Sequence, residues 1–258
     1  MAYSKWPDFD QGAVMLTFKW IAPTALMLLV SAVFGQSPKF KNPPPKDLAS
    51  TFSLVARDLE TGELGIVVAS KYLAVGSAVP FANAKIGAIA TQSYVNMDYG
   101  PDGLALLSQG KNPKETLDLL LSRDSGKEYR QVGLLNLLGK PEAFTGSKCM
   151  PWAGHKLGTN YTAQGNLLAG PKVIDDMAKA FEEAKGPLAS RLFKALKAGD
   201  EAGGDKRGRQ SAAILIVKPK GGPNGFGDRW IDLRVDDHPA PVKELGRLLE
   251  LSGKAPNP

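Results

Sequence analysis

Apolar and polar residues alternate along Thr51-Phe-Ser-Leu-Val-Ala-Arg-Asp58, so that Phe52, Leu54 and Ala56 share one face of an extended segment. A period of two over that length predicts a β-strand. Asp58 to Glu63, with Gly62, supplies a turn, and the apolar run from Leu64 to Ala69 predicts the second strand of a hairpin. A loop around residues 74–85 leads to a further apolar run, Ile86 to Thr91, which predicts a third strand. The period then lengthens. Leu104 to Ser108, introduced by Tyr99-Gly-Pro-Asp102 and closed by Gly110, predicts one short helix. Asn112-Pro113-Lys-Glu115 opens another as a capping box with proline at the first helical position, followed by Leu117, Leu120 and Leu121.

Gln131 to Leu138 and a segment near Phe144 predict a second hairpin that turns at Gly139-Lys-Pro141. Residues 146–160 read as a long loop rich in glycine and turn formers, a length that favours a functional loop over a passive connection. Gln164-Gly-Asn166 carries the chain to a helix opened by Pro171, with Val173, Met177, Ala180, Phe181 and Ala184 as its apolar stripe. Gly186-Pro187 breaks it, and a second helix places Leu188, Leu192, Ala195 and Leu196 on one face before Gly199. A polar, glycine-rich loop over 200–209 precedes a strand from Ser211 to Val217. A hairpin tip at Gly221 to Gly225, a strand from Trp230 to Val235 and a last helix marked by Val242, Leu245, Leu248 and Leu249 complete the chain. This order is not the βαβ alternation of a parallel sheet. It suits an α+β protein with two antiparallel sheets covered by helices.

Upstream of Thr51 the pattern is of another kind. Residues 1–35 read as a signal peptide or N-terminal anchor: Lys19, then an almost wholly apolar run from Ile21 to Phe34, then small residues before a cut after Ala32 or Gly35. That run is short for a bilayer span and contains Pro23, so no stable membrane domain beyond this leader is expected. Residues 36–50, with Pro38, Pro43 to Pro45, Lys39, Lys41 and Lys46, read as an extended Pro-rich spacer or propeptide. The folded domain is then expected over 51–258, in an exported protein, periplasmic or extracellular.

The totals narrow the chemistry. Of 258 residues, 43% are hydrophobic and 22% charged, an ordinary globular composition. One cysteine, Cys149, forbids an intramolecular disulfide and any cysteine cluster. The two histidines, His155 and His238, are far apart in sequence, so no metal site or cofactor is expected. The net charge of +6 is spread among acids, and the densest basic run, Asp205-Lys-Arg-Gly-Arg209, holds three bases, so nucleic acid is not an expected partner. Gly221-Gly-Pro-Asn-Gly225 lacks the lysine and helix of a phosphate-binding loop. Asp236-Asp237-His238, directly before Pro239, reads as a turn approaching a helix. Cys149 and His155 lack any signal that fixes them as a nucleophile and base.

Several stretches together resemble a known family: Thr51 to Asp58, Val68-Ala-Ser-Lys71, Ala90-Thr-Gln92, Glu128-Tyr-Arg-Gln-Val-Gly133, Pro151-Trp-Ala-Gly-His155, Gln164-Gly-Asn166, Gly204 to Ala212, and Asp228 to Pro239. They resemble the bacterial and archaeal family called domain of unknown function 1028, grouped with the N-terminal-nucleophile hydrolases. The likeness spans nearly all of Thr51 to Leu251. It implies a four-layer αββα sandwich in which the first residue of the mature chain attacks an amide carbonyl and its own α-amine acts as base.

On that resemblance Thr51 is the candidate nucleophile, and its plainer reading is a β-former at the start of a strand. Lys71 is a candidate to lower the pKa of the amine or hold an oxyanion, and Asn166 a candidate side-chain donor to it. Ser211 is a candidate to contact the amine. Ser53 and Ser70 are expected to line the site. Arg207, Arg209 and Gln210 are expected at its rim, offering a guanidinium to a substrate carboxylate, with an ion pair to Asp205 or Asp236 as the structural alternative. Lys85 is a secondary candidate, by its distance along the chain from Thr51. The expected substrate is a small amide or peptide; the alternative is a non-catalytic envelope binding protein on the same scaffold. Homo-oligomerisation is left open. An internal threonine has no α-amine, so the chemistry requires the bond between Ser50 and Thr51 to be cut.

Overall fold

The computed structural model describes residues 48–255; the predicted signal segment and most of the Pro-rich spacer lie outside the described residues. Eleven strands and five helices follow in the order β1 (Leu48–Ala49), β2 (Thr51–Arg57), β3 (Leu64–Ser70), β4 (Pro80–Asn83), β5 (Gly87–Tyr94), α1 (Tyr99–Ser108), α2 (Pro113–Arg123), β6 (Arg130–Leu135), β7 (Glu142–Thr145), β8 (Gly154–Leu157), β9 (Tyr161–Gly165), α3 (Lys172–Glu183), α4 (Leu188–Glu201), β10 (Ser211–Val217), β11 (Arg229–Val235) and α5 (Pro241–Leu251). They build two antiparallel sheets. One runs β1-β5-β6-β7 with β4 also on β5, and the other runs β11-β10-β3-β2-β9-β8.

Three apolar clusters separate four layers. Phe52, Leu54, Val67, Ala69, Ile214 and Ile216 of the six-stranded sheet pack on Met177, Phe181, Leu192, Leu196, Leu245 and Leu249 of α3, α4 and α5. Val55, Ile66, Val68, Ala213 and Leu215, from its other face, meet Ala88, Ala90 and Leu135 of the five-stranded sheet. Ile89, Val132 and Leu134, on that sheet's far face, pack on Tyr99, Leu106, Leu107, Leu117 and Leu120 of α1 and α2. The result is the expected αββα sandwich. Strands covered on both faces are buried throughout, and β2, β3, β6, β9 and β10 are buried at every residue. Hence the period of two in β2 separates two buried surfaces rather than core from solvent.

The local signals behave as their chemistry dictates. Asn112 accepts the Glu115 N–H at 2.9 Å while the Glu115 carboxylate accepts the Asn112 N–H at 2.9 Å, so the capping box of α2 is complete, with Pro113 at its first position. Helix α1 starts at Tyr99, five residues before its apolar stripe. Its Gly100 admits the ring of Phe81, which a Cβ there would strike. The region 146–160 is not wholly irregular. It contains β8, whose residues pair with β9, as in His155↔Gln164 and Leu157↔Thr162. Strands β4 and β9 likewise occupy segments whose sequence predicts only connection.

Leu48, Ala49 and Ser50, assigned by composition to the spacer, belong to the fold. Leu48 pairs with Tyr94 and Ala49 with Ser93, so β1 lies in one sheet while β2, a residue later, lies in the other. The chain therefore crosses between the sheets at Ser50. Both Ser50 and Thr51 are fully buried.

Candidate active site

Thr51, Ser70 and Ser211 stand side by side on β2, β3 and β10, because Thr51 pairs with Ser70 and Ser70 with Ser211. The antiparallel register puts their side chains on the face turned toward the other sheet, which is also the face of Ser53 and Val55. At this end of the sheet the apolar filling gives way to hydroxyls and amides. The Thr51 hydroxyl donates to the Ala49 carbonyl at 2.6 Å and lies 3.3 Å from Ser70 Oγ. The Ser70 hydroxyl in turn donates to the Ser50 carbonyl oxygen through a short bond.

That carbonyl has a second donor. Arg207 Nη2 reaches it at 3.1 Å, from the loop between α4 and β10. The guanidinium is aimed by Asp205, a buried carboxylate whose two oxygens accept Arg207 Nε at 3.0 Å and Nη2 at 2.7 Å. Asp205 is itself fixed by the backbone N–H groups of Arg207 at 2.9 Å and Lys71 at 3.0 Å. A planar fork locked in this way presents its remaining N–H with little freedom to lose. The oxygen preceding Thr51 thus faces one hydroxyl and one guanidinium. This is the donor arrangement that stabilises negative charge developing on a carbonyl oxygen.

On the other side of the threonine, its own carbonyl accepts the Asn166 N–H at 3.0 Å and Gln92 Nε2 at 3.2 Å. Gln92 belongs to a buried amide network between the sheets. Ser53 Oγ donates to Gln92 Oε1 at 2.6 Å, Gln164 Nε2 donates to Ser53 Oγ at 2.7 Å, and Gln92 Nε2 and Asn166 Nδ2 both donate to Gln131 Oε1, at 2.8 and 2.9 Å. Gln131 Nε2 closes it on the Gly165 carbonyl at 2.8 Å. All five residues are fully buried. Gly133 is what lets the sheets approach here, since a Cβ on it would run into the Gln164 and Thr162 side chains.

The fold gathers some of the sequence candidates and separates others. Thr51, Ser53, Ser70, Asn166 and Arg207 converge. Asn166, expected to donate from its side chain to an oxyanion, instead holds the Thr51 carbonyl through its backbone and directs its amide to Gln131. Lys71, expected at the amine or the oxyanion, is exposed beyond the end of β3 with its Nζ 3.4 Å from the Arg209 carbonyl, and the cation at the Ser50 oxygen is Arg207. The Ser211 hydroxyl is taken by the Tyr72 carbonyl and the Val75 N–H, so it ties down the segment after β3 rather than reaching Thr51. Arg209 pairs with Asp200 at 2.6 Å, which pushes its pKa up, and Gln210 bonds Asp237 at 3.1 Å. Lys85 sits in the turn between β4 and β5, at the end of β5 remote from Ser93. The Cys149 thiol donates to the Arg130 carbonyl and burial raises its pKa, whereas the His155 ring bonds Thr145, so the two have separate partners.

Gln92, Gln131, Gln164 and Asp205 are the members that sequence reasoning did not place in the site. Each of the glutamines was visible as a lone amide within or beside an apolar run, a cost that a buried strand bears only with partners. Beside Ser70 and Asp205 a cavity of about 30 Å³, lined also by Phe52 and Arg209, is large enough for a water molecule. Among the described residues no group of three or more metal-ligating side chains is found, and no helix is long and apolar enough to cross a membrane.

Residues 51–245 match the model of a family described as a family of unknown function, DUF1028. A crystal structure of protein SPO2555 from Silicibacter pomeroyi, of the same family model, is 32% identical, with a TM-score of 0.72 over 80% of this chain and 91% of that one. No curated protein matches the sequence.

Proposed function

We propose a function from the premise that the chain belongs to the DUF1028 family: it is an exported amide or peptide hydrolase of the N-terminal-nucleophile kind that makes its own nucleophile by cutting the Ser50–Thr51 bond. The observation that carries this reading is the Ser50 carbonyl oxygen, held by Ser70 Oγ and Arg207 Nη2, with the Thr51 hydroxyl 3.3 Å from that same Ser70 Oγ.

In the first reaction Thr51 Oγ1 adds to the Ser50 carbonyl carbon, and the oxygen that becomes anionic already faces its two donors. The carbon–nitrogen bond then breaks, the hydroxyl proton ends on the Thr51 nitrogen, and residue 50 is left as an ester on Thr51 Oγ1. The α-amine of Thr51 is free from this point, and water then cleaves the ester, releasing the upstream segment as a carboxylate and restoring the Thr51 hydroxyl. That amine, with an ordinary pKa near 8, can take the hydroxyl proton in later turnovers close to neutral pH. The same two donors then face the carbonyl of a small amide or peptide substrate.

Intact mass and N-terminal sequencing of the purified protein test the reading. A chain that begins at Thr51, and a Thr51→Ala variant that keeps its upstream residues and hydrolyses no amide, are the expected results. A wild-type chain that folds and still begins upstream of Thr51 overturns the self-cleavage and leaves a binding scaffold.

A further inference from the structure

We infer that Leu48-Ala49-Ser50 is a built-in copy of the acyl side of the substrate, and that the mature enzyme cleaves extended peptides carrying a small residue, serine or alanine, just before the cut bond. The inference rests on the hydrolase reading above and names its substrate class.

The outer edge of β5 is shared by two segments. β4 covers Gly87 to Ala90, and the Val79 carbonyl accepts the Thr91 N–H at 3.1 Å. Past that point, among the described residues, β1 lies along the edge, with Ala49 opposite Ser93 and Leu48 opposite Tyr94. Release of the leader therefore exposes backbone groups at Ser93 and Tyr94, immediately beside the donors that had held the Ser50 carbonyl. An exposed sheet edge ending at a reactive carbonyl site takes an extended peptide by strand addition. Ser93 holds this edge with a φ of 72°, a left-handed conformation that serine adopts only where the surroundings impose it.

Side-chain size follows from burial. Ala49 and Ser50 are both fully buried, and the Ser50 hydroxyl has no hydrogen-bond partner among the described residues. The position therefore accepts serine for its size and not for a recognised hydroxyl, so alanine fits as well. The Ala49 carbonyl, which accepts the Thr51 hydroxyl at 2.6 Å, shows how the second residue of a bound peptide would orient the nucleophile. In turnover the substrate amide bond breaks, the amine leaves with a proton, and the acyl group passes to Thr51 Oγ1. Water then releases it as a carboxylic acid and restores the hydroxyl.

The test uses the full chain, expressed whole and shown by mass to begin at Thr51, with acetyl-Leu-Ala-Ser coumarinylamide as the probe. Its alanine counterpart is expected to be cleaved comparably, and the phenylalanine counterpart with kcat/KM lower by about 10²-fold, as a closed pocket discriminates by size. N-methylation of the Leu or the Ala nitrogen is expected to cost about tenfold at whichever of the two donates to β5, one hydrogen bond's worth. A chain beginning at Thr51 that turns over none of these peptides, that prefers phenylalanine, or that is indifferent to both N-methyl groups overturns the substrate class alone. A chain that keeps its upstream residues overturns the hydrolase reading together with it.

Discussion

Replacing Ser70 by alanine separates catalysis from folding at this site. The Ser70 hydroxyl makes one bond to the Ser50 carbonyl and lies 3.3 Å from Thr51 Oγ1, and the carbonyl keeps its second donor, Arg207 Nη2, at 3.1 Å. Because no buried acceptor is left without a partner, the loss in stability is expected to be about 1 kcal/mol. The loss in the transition state is larger. One of two side-chain donors to the oxyanion disappears, and removal of such a donor typically slows a reaction by about 10²–10³-fold, or roughly 2.7–4 kcal/mol. The variant should therefore fold, melt close to the wild type, and accumulate with its upstream residues attached. The assay is a time course of intact mass on refolded protein, with a melting curve on the same sample. A folded Ser70→Ala protein that is processed at the wild-type rate would refute the reasoning, since it would show that the contact at the Ser50 oxygen is structural only.

Three further outcomes are expected. Lys71→Met should leave the rate of processing unchanged, because the exposed ammonium points to the Arg209 carbonyl; a large fall, followed by the same mass assay, would return the lysine to the site. Arg57→Met should cost about 3 kcal/mol in denaturant unfolding, because this buried guanidinium binds Asn160 Oδ1 and the carbonyls of Asn136, Gly139 and Thr159 at 2.6–3.0 Å; a change below about 1 kcal/mol would contradict it. Burial works to raise the Asp124 pKa. The hydrogen bonds from Arg130 and the Gly126 N–H, the Arg130 charge and the Asn96 amide outweigh it, so the carboxyl sits below its ordinary 3.8. Its stabilisation is thus fully present above pH 3.8 and lost as pH falls through the lower folded value. Asp124→Asn should be less stable at pH 7 and show a shallower loss of stability in acid, and equal acid slopes for the two proteins would count against the assignment.

What the chain reveals unaided is what neighbours in sequence decide. The hairpin of β2 and β3, the capping box at Asn112 and the stripes of α3, α4 and α5 depend on periodicity and on contacts within a few residues, and all are legible. So is the four-layer arrangement, since the order of the elements excludes strict βαβ winding and the family resemblance points to the sandwich. The strands that escape prediction are short or lie at edges. Leu48–Ala49 is too brief to have a period, and β8 and β9 are held mainly by their partners.

The candidate site divides along the same line. Thr51 stands out because a strand begins there, and Ser70 and Asn166 because they flank apolar runs. The convergence of Arg207 on the Ser50 carbonyl depends on a contact 157 positions apart in sequence, and the carbonyl itself has no side chain by which a sequence could advertise it. From sequence, Lys71 is the candidate at the oxyanion and Arg207 at a substrate carboxylate, yet among the described residues it is Arg207, aimed by Asp205, that reaches the Ser50 oxygen, while Lys71 projects past the strand end into solvent. The sequence by itself determined that a strand begins at Thr51 and that an internal threonine carries no α-amine of its own to serve as a base. Only the tertiary structure decided that the bond before it spans from one sheet to the other under two hydrogen-bond donors, because register between strands and the reach of a loop are set by packing and not by local pattern.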